Sequence, residues 1–315
     1  MIKTVLFLNH KEKNCGVYQW GNRTGLAIEK SIKYKFIYKE VDSEEEFREN
    51  IKNINPDAIL YNYHVATMSW LNPDILDEFR HIKQPVIVHE GWSNPYNEHS
   101  FDNYIYLIPD IEIDPSYNNV FKVGRLLLNY TGEYSKNDIV TFGTFGFGFH
   151  NKQYPLIIEK INDEFDEAII NFHIPFARYG DGEGVLAKSS VENSRKKLTK
   201  SGIKLNVSHE FLDTNELLKF LAGNDLNIFF YDEMFGRGIS STIDYALSVK
   251  RPIAINKSWM FHHIYNTSPS ICIEDTNLET ILNNGILPLE KFYSLWSKEN
   301  CIKDYEQIFD RIFCK

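Results

Sequence analysis

The sequence predicts an α/β protein built from two doubly wound, mostly parallel sheets in tandem. Three observations carry this. Short β-rich apolar runs alternate with amphipathic stretches along the whole chain, the rhythm that implies parallel strands joined by crossover helices. That rhythm breaks once, between about residues 109 and 137, and then restarts. The length of 315 residues suits two domains at roughly 150 residues each.

In the first half the candidate strands are Thr4–Leu8, Lys35–Tyr38, Ala58–Tyr61, Val86–His89 and Tyr104–Leu107. Helical patterns fall near 17–32, 44–53 and 73–81. Asp42-Ser43 ahead of Glu44-Glu45-Glu46 reads as an N-cap with acids in the first turn, where the helix dipole favours them. The break contains Pro109, Pro115, Asn118-Asn119, Gly124 and Gly132 and shows little periodicity, so the domain boundary is expected there. In the second half, strands are expected at Ile139–Phe142, Ala168–Ile174, Ile203–Val207, Leu226–Phe230, Pro252–Ile255 and Ile271–Ile273. Helices are expected near 152–165, 184–199, 213–223, 240–249 and 276–284. From Pro288 onward an aromatic-rich segment reads as one or two helices. The expected division is 1–124, 136–290 and a C-terminal helical segment 291–315, whose last helix crosses back to the first domain. Two Rossmann-like domains arranged this way face a cleft, and ligands bind beyond the carboxyl ends of the strands.

Composition narrows the function. With 34 Lys+Arg against 43 Asp+Glu the net charge is −9, which weighs against general nucleic-acid binding. Arg195-Lys196-Lys197 and Lys200 form a local basic patch, read first as a solvated helix face. Cys15, Cys272, Cys301 and Cys314 show no CxxC or CxxxC spacing, which argues against a zinc site and for a reducing compartment. No signal peptide and no run of roughly 18 apolar residues is visible. The expectation is a cytoplasmic protein, with peripheral membrane association left open.

Three loops carry the candidate chemistry. The first, Asn9 to Gly21, follows strand one and opens a helix; Gly16 would let an anion approach the helix start, though the loop also reads as an ordinary strand-to-helix turn and lacks GxGxxG. The second, Gly143-Thr144-Phe145-Gly146-Phe147-Gly148-Phe149-His150-Asn151-Lys152, combines spaced glycines with a lysine near a helix start. It suits a phosphate, or serves as a hinge. The third runs from Asp232 through Gly236-Arg237-Gly238-Ile239 to Ser240-Ser241-Thr242 and is a candidate diphosphate cradle; part of its hydroxyl cluster is ordinary helix capping. His64 and His89-Glu90 end consecutive strands, where a histidine or carboxylate could orient a sugar hydroxyl or exchange a proton. Asp110-Ile111-Glu112-Ile113-Asp114 could hold a divalent cation, but a solvated linker is the better reading. His262-His263 lack the spacing of a helical metal pair.

Taken together these residues resemble glycosyltransferases of the GT-B architecture, closest to the retaining family 4. Phe142-Gly143-Thr144-Phe145, Lys152, Gly223-Asn224-Asp225-Leu226, and Gly236-Arg237-Gly238-Ile239 followed by Ala246-Leu247-Ser248-Val249-Lys250-Arg251-Pro252-Ile253 carry the likeness, mainly over residues 139–256. The resemblance implies a metal-independent transferase that uses a nucleotide-sugar as substrate and has no bound cofactor. It would bind the donor through Gly16, Gly143, Gly146, Lys152, Arg237, Gly238, Ile239, Ser240 and Ser241. Glu90, His89 and His64 are the candidate catalytic set. The acceptor would be a saccharide or a lipid-linked sugar. The family's two glutamates eight residues apart are absent: Tyr245 falls at the second when the Ala-Leu…Pro segment is aligned, and Ile243, beside Asp244, when the glycines are; Glu233 stands nearest the first. The rival readings are a non-catalytic nucleotide- or sugar-binding protein, a nucleotide-sugar epimerase or hydrolase, and a transferase acting on modified DNA bases.

Overall fold

The computed structural model describes residues 2–89, 105–109, 119–178, 180–235 and 238–314. The chain divides into an N-terminal unit, Met1–Leu126 with Gly236–Ile239 and Trp296–Lys315, and a C-terminal unit, Leu127–Phe235 with Ser240–Leu295.

The N-terminal unit contains β1 (Thr4–Asn9), α1 (Gly16–Ile28), β2 (Lys35–Glu40), α2 (Glu44–Ile54), β3 (Ala58–Asn62), α3 (Pro73–Glu78), β4 (Pro85–Ile87), β5 (Ile105–Ile108) and β6 (Val120–Lys122). Its sheet is parallel in the order β2-β1-β3-β4-β5-β6. β1 lies between β2 and β3 and is an unbroken apolar run because both its faces are covered. Val5 and Phe7 enter one apolar cluster with Trp20 and Ile28 of α1, while Leu6 and Leu8 enter the other with Phe47 of α2 and Ile75 of α3. Ser43 caps α2 by accepting the Glu46 N–H at 3.3 Å, as its sequence suggests.

The C-terminal unit contains β7 (Thr141–Phe145), α4 (Tyr154–Glu164), β8 (Ala168–His173), α5 (Val185–Arg195), β9 (Ile203–Ser208), α6 (Thr214–Ala222), β10 (Leu226–Phe229), α7 (Thr242–Ser248), β11 (Ile253–Ile255), α8 (Leu278–Asn284) and α9 (Glu290–Leu295). Its sheet is parallel in the order β11-β10-β7-β8-β9. Asp213 and Glu216 close a reciprocal capping box on α6.

The last helix, α10 (Lys298–Cys314), belongs to the N-terminal unit. Its Tyr305 and Phe309 are fully buried in the same cluster as Val5 and Phe7. Ser31 donates to Glu306, and Tyr34 donates to Asp310 at 2.7 Å. The expected crossing back of the C-terminal helix is therefore present.

Several elements differ from expectation. The 109–137 stretch contains β6, paired in parallel with β5. A three-residue run flanked by Asn119 and Val123-Gly124 is too short to display a period of two. Ile271–Ile273 forms no strand; Cys272 makes a single bridge to Ile255. β4 stops at Ile87, so His89 lies beyond the strand rather than at its last position. β7 is shifted to start at Thr141, which places Gly143 in mid-strand.

Candidate functional site

In the C-terminal sheet the strand order reverses between β7 and β10, and ligands of doubly wound folds bind beyond that switch point. The loop after β7 and the loop after β10 are the two that the sequence marks, and the backbone joins them. Lys152 and Tyr231 form an antiparallel bridge, Gln153 N–H donates to Phe230 O at 2.9 Å, and Asp232 N–H donates to Asn151 O at 2.8 Å. Gln153 Nε2 adds a side-chain bond to Asp232 Oδ1 at 2.5 Å.

Lys152 is the cation of this junction. Its Nζ lies 5.0 Å from the centre of the Tyr231 ring. It also fills the space above Gly146: a β-carbon there would come within 2.0 Å of Nζ. Gly146 has φ +138°, a conformation open mainly to glycine, so both backbone and lysine require this residue. Tyr154 fixes the loop from below, its hydroxyl donating to Gly146 O at 2.6 Å. Burial pushes the Tyr154 phenol well above its ordinary pKa, so it stays a donor. Gly148 permits contact with the start of α5, where a β-carbon would meet Ala187 Cα at 2.3 Å.

The remaining donor-loop candidates separate. Gly143 makes room for the Asn224 amide, 1.9 Å from where its β-carbon would stand. Asn224 in turn joins Asn171, Asn227 and Phe220 O in a hydrogen-bond network, so Gly143 is a packing position. Ser240 is buried; its N–H donates to Met260 O at 3.0 Å and its hydroxyl meets Thr242 Oγ1 at 2.8 Å. Ser241 is the half-buried N-cap of α7 and makes no side-chain cap bond. Helix α7 begins at Thr242 and has only seven residues, so it offers a smaller dipole than the expected 240–249 helix. Gly238 and Ile239 group with the N-terminal unit. Gly236 and Arg237 lie outside the described residues.

Sequence reasoning missed Asn256 and Trp259. Asn256 clamps Tyr231, accepting its N–H at 2.9 Å and donating to its carbonyl at 2.7 Å. Glu233 accepts the Trp259 N–H through both oxygens, at 3.2 and 3.3 Å. Trp259 stacks on His262 with ring centres 4.3 Å apart and meets the 79 % exposed Phe235 at a tilt, 4.5 Å between centres. Glu233 and Trp259 stand 26 residues apart in sequence, beyond the reach of a local motif. Tyr245 is buried and packs edge-on to Phe145. The basic patch is partly neutralised: Lys197 pairs with Glu159 at 2.6 Å and Lys200 with Asp166 at 2.9 Å.

In the N-terminal sheet the order reverses between β1 and β3. A β-carbon on Gly16 would meet nothing within 4 Å, so space, not packing, surrounds the first residue of α1. His64 follows β3, and its Nδ1 lies 2.8 Å from Thr67 Oγ1. His89 is held differently. Asn62 spends its amide hydrogens on Asn9 Oδ1 and Val17 O, so its Oδ1 must accept from His89 Nε2, at 2.6 Å. Burial, and then the charges of His64 and Arg125, push the His89 pKa down to about 3, leaving a neutral ring. Trp20 packs edge-on against it at 4.8 Å. Glu90 lies outside the described residues, as do Asp110, Glu112 and Asp114.

Comparison with known proteins then decides the architecture. Two parallel doubly wound units with a returning C-terminal helix match solved structures over nearly the whole chain. Sucrose-phosphate synthase of Thermosynechococcus elongatus superposes with a TM-score of 0.68 at 8% identity, covering 99% of both chains. Anabaena HepE in complex with UDP superposes with a TM-score of 0.63 at 10% identity, covering 98% of this chain and 99% of that one. The chain has the GT-B fold. The lipopolysaccharide outer core galactosyltransferase WaaB superposes with a TM-score of 0.56 at 10% identity, covering 99% of both chains. No family model and no curated protein matches the sequence. Among the described residues no helix is long and apolar enough to cross a membrane.

Proposed function

We propose that this GT-B chain is a cytoplasmic glycosyltransferase that takes a sugar from a nucleotide-sugar donor and passes it to a saccharide or lipid-linked acceptor. The reading rests on one observation above the others. Lys152 is held at the C-terminal switch point by a glycine that leaves room for its ammonium and by a bridge to the facing loop. A cation fixed there compensates the charge that grows on a departing diphosphate, and charge that develops during the reaction is where electrostatic stabilisation counts most. Arg237, by its place in the sequence, supplies a second cation, and the Ser241 hydroxyl a donor. Two cations in place of a divalent ion support transfer without a catalytic metal, and the resemblance to family 4 supports retention. UDP in the HepE structure makes uridine donors the first to test.

A second reading is favoured by Tyr245. When the Ala-Leu…Pro segment is aligned, a buried tyrosine falls at the second glutamate of family 4, and Ile243 does when the glycines are; neither side chain supplies a carboxylate, which fits a protein that binds a nucleotide without turning it over. Release of nucleoside diphosphate from UDP-, GDP- and ADP-sugars, with and without an acceptor panel, separates the possibilities. Transfer predicts acceptor-dependent release that survives EDTA. Equal release without acceptor indicates a hydrolase, and altered sugar configuration an epimerase. Binding with no release indicates the non-catalytic role.

A further inference from the structure

The structure assigns a thiophilic divalent-cation site, of the kind that takes Zn²⁺, to His10, Cys15 and His64 of the N-terminal unit. One ring nitrogen of each histidine and the Cys15 sulfur all lie within 4.8 Å of one another. The three come from different places: His10 follows β1, Cys15 is the N-cap of α1, and His64 follows β3. The parallel order β1-β3 brings them together at one end of the sheet, and only one of the three is a cysteine. That is why a scan of cysteine spacings passes over them.

Three features favour a metal. Two imidazoles and a thiolate form a borderline-soft donor set that suits Zn²⁺ and not Mg²⁺ or Ca²⁺. Cys15 is the N-cap of a 13-residue helix, and the positive end of a helix favours a thiolate. His10 is 1 % exposed, yet its Nε2 is buried with no hydrogen-bond partner. A buried ring nitrogen in that condition needs something the protein alone does not provide.

His64 already has the outer hydrogen bond that metal-binding histidines use. Thr67 Oγ1 donates to the His64 carbonyl, so it can accept from His64 Nδ1, a tautomer in which Nε2 is the ligand atom. His10 must rearrange. Its Nδ1 accepts the Glu12 N–H at 3.2 Å, so in the metal-free protein its proton is on Nε2. On binding through Nε2 that proton moves to Nδ1, Glu12 N–H gives up its bond, and the Cys15 thiol proton leaves to solvent. One long backbone hydrogen bond is exchanged for coordinate bonds from three residues. The ligand atoms, which lie within 4.8 Å of one another, settle at tetrahedral separations, and the fourth position stays open to water. The inference concerns the N-terminal unit alone and gives His64, a member of the candidate catalytic set, a ligand's role; metal binding itself is tested without any transferase assay.

Chelator-stripped full-length protein titrated with Co²⁺ and then Zn²⁺ tests it. The expected result is one equivalent of Co²⁺ with a thiolate-to-cobalt charge-transfer band and the visible bands of a tetrahedral ion, all displaced by Zn²⁺. Cys15→Ser should abolish the charge-transfer band, while Cys314→Ser should leave it intact. His10→Ala and His64→Ala should each weaken binding at least tenfold. Retained circular dichroism in each variant separates lost ligation from lost fold. In ¹⁵N-histidine spectra, Zn²⁺ should move the His10 proton from Nε2 to Nδ1. No charge-transfer band at saturating Co²⁺, a band that survives Cys15→Ser, or a His10 proton that stays on Nε2 under Zn²⁺ would overturn the assignment. The last outcome would point instead to an oxygen ligand accepting from His10.

Discussion

The Lys152 ammonium occupies the space that a side chain at Gly146 would fill, its nitrogen 2.0 Å from the position of the missing β-carbon. The glycine is therefore not interchangeable with alanine. Gly146→Ala must move the lysine and also adopt φ near +138° with a β-carbon present. It should cost about 1–3 kcal/mol of stability, the range of a strained backbone residue. It should also weaken nucleotide binding. Chemical denaturation and a nucleotide titration on the same variant check both, and unchanged nucleotide affinity would break the link between the two residues.

Tyr154→Phe isolates the support beneath that loop. The phenol donates to Gly146 O from a fully buried position, and its removal leaves a buried carbonyl short of a donor. The expected loss is about 1–3 kcal/mol. Urea unfolding monitored by circular dichroism reads it directly.

Gly143→Ala separates packing from ligand binding. The new methyl would collide with the Asn224 amide, an overpacking cost of about 1–3 kcal/mol. Asn224→Ala carries its own loss through its hydrogen bonds, but the methyl then meets no amide, so the double variant should lose less than the sum of the two single losses. If the double variant is less stable than the wild type by the full sum of the two single losses, the two residues do not meet as described.

Stability should fall on mild acidification. Burial pushes His10 and His173 down to about 4 and His89 down to about 3, from an ordinary value near 6.5. Between those limits the unfolded chain binds protons that the native protein does not, so unfolding becomes easier as pH drops. The contribution of these rings is fully present above pH about 6.5. It declines by up to about 1.4 kcal/mol per pH unit for each, until the native ring itself protonates. Urea midpoints at pH 7.5, 6 and 5 measure this. His89→Gln should flatten the slope, and a pH-independent midpoint over that range would contradict the neutral assignment.

Most of the architecture was legible because parallel strands buried on both faces read as apolar runs. Thr4–Asn9 and Ala168–His173 are examples, and the amphipathic helices between strands are equally plain. Val120–Lys122 was not, since a three-residue strand between Asn119 and Val123-Gly124 is too short to carry a period. At the site, local glycine and lysine signals led to Gly146 and Lys152. They did not show that Ser240 turns inward or that Gly143 serves Asn224, because those outcomes depend on partners elsewhere in the chain. Asn256, Trp259 and the His10–Cys15–His64 cluster were illegible for the same reason: strand order, not sequence neighbourhood, assembles them.

The most direct test of the central claim is thermal unfolding of the wild type and Lys152→Ala with UDP, GDP, ADP and CMP, each with and without EDTA. A nucleotide at about 100 times its Kd should stabilise the native state by about 2.7 kcal/mol. The account predicts a saturable shift with one nucleoside diphosphate, an increment unchanged by EDTA, and most of that increment lost in Lys152→Ala. No shift with any of the nucleotides, or an equal shift in the variant, would contradict it.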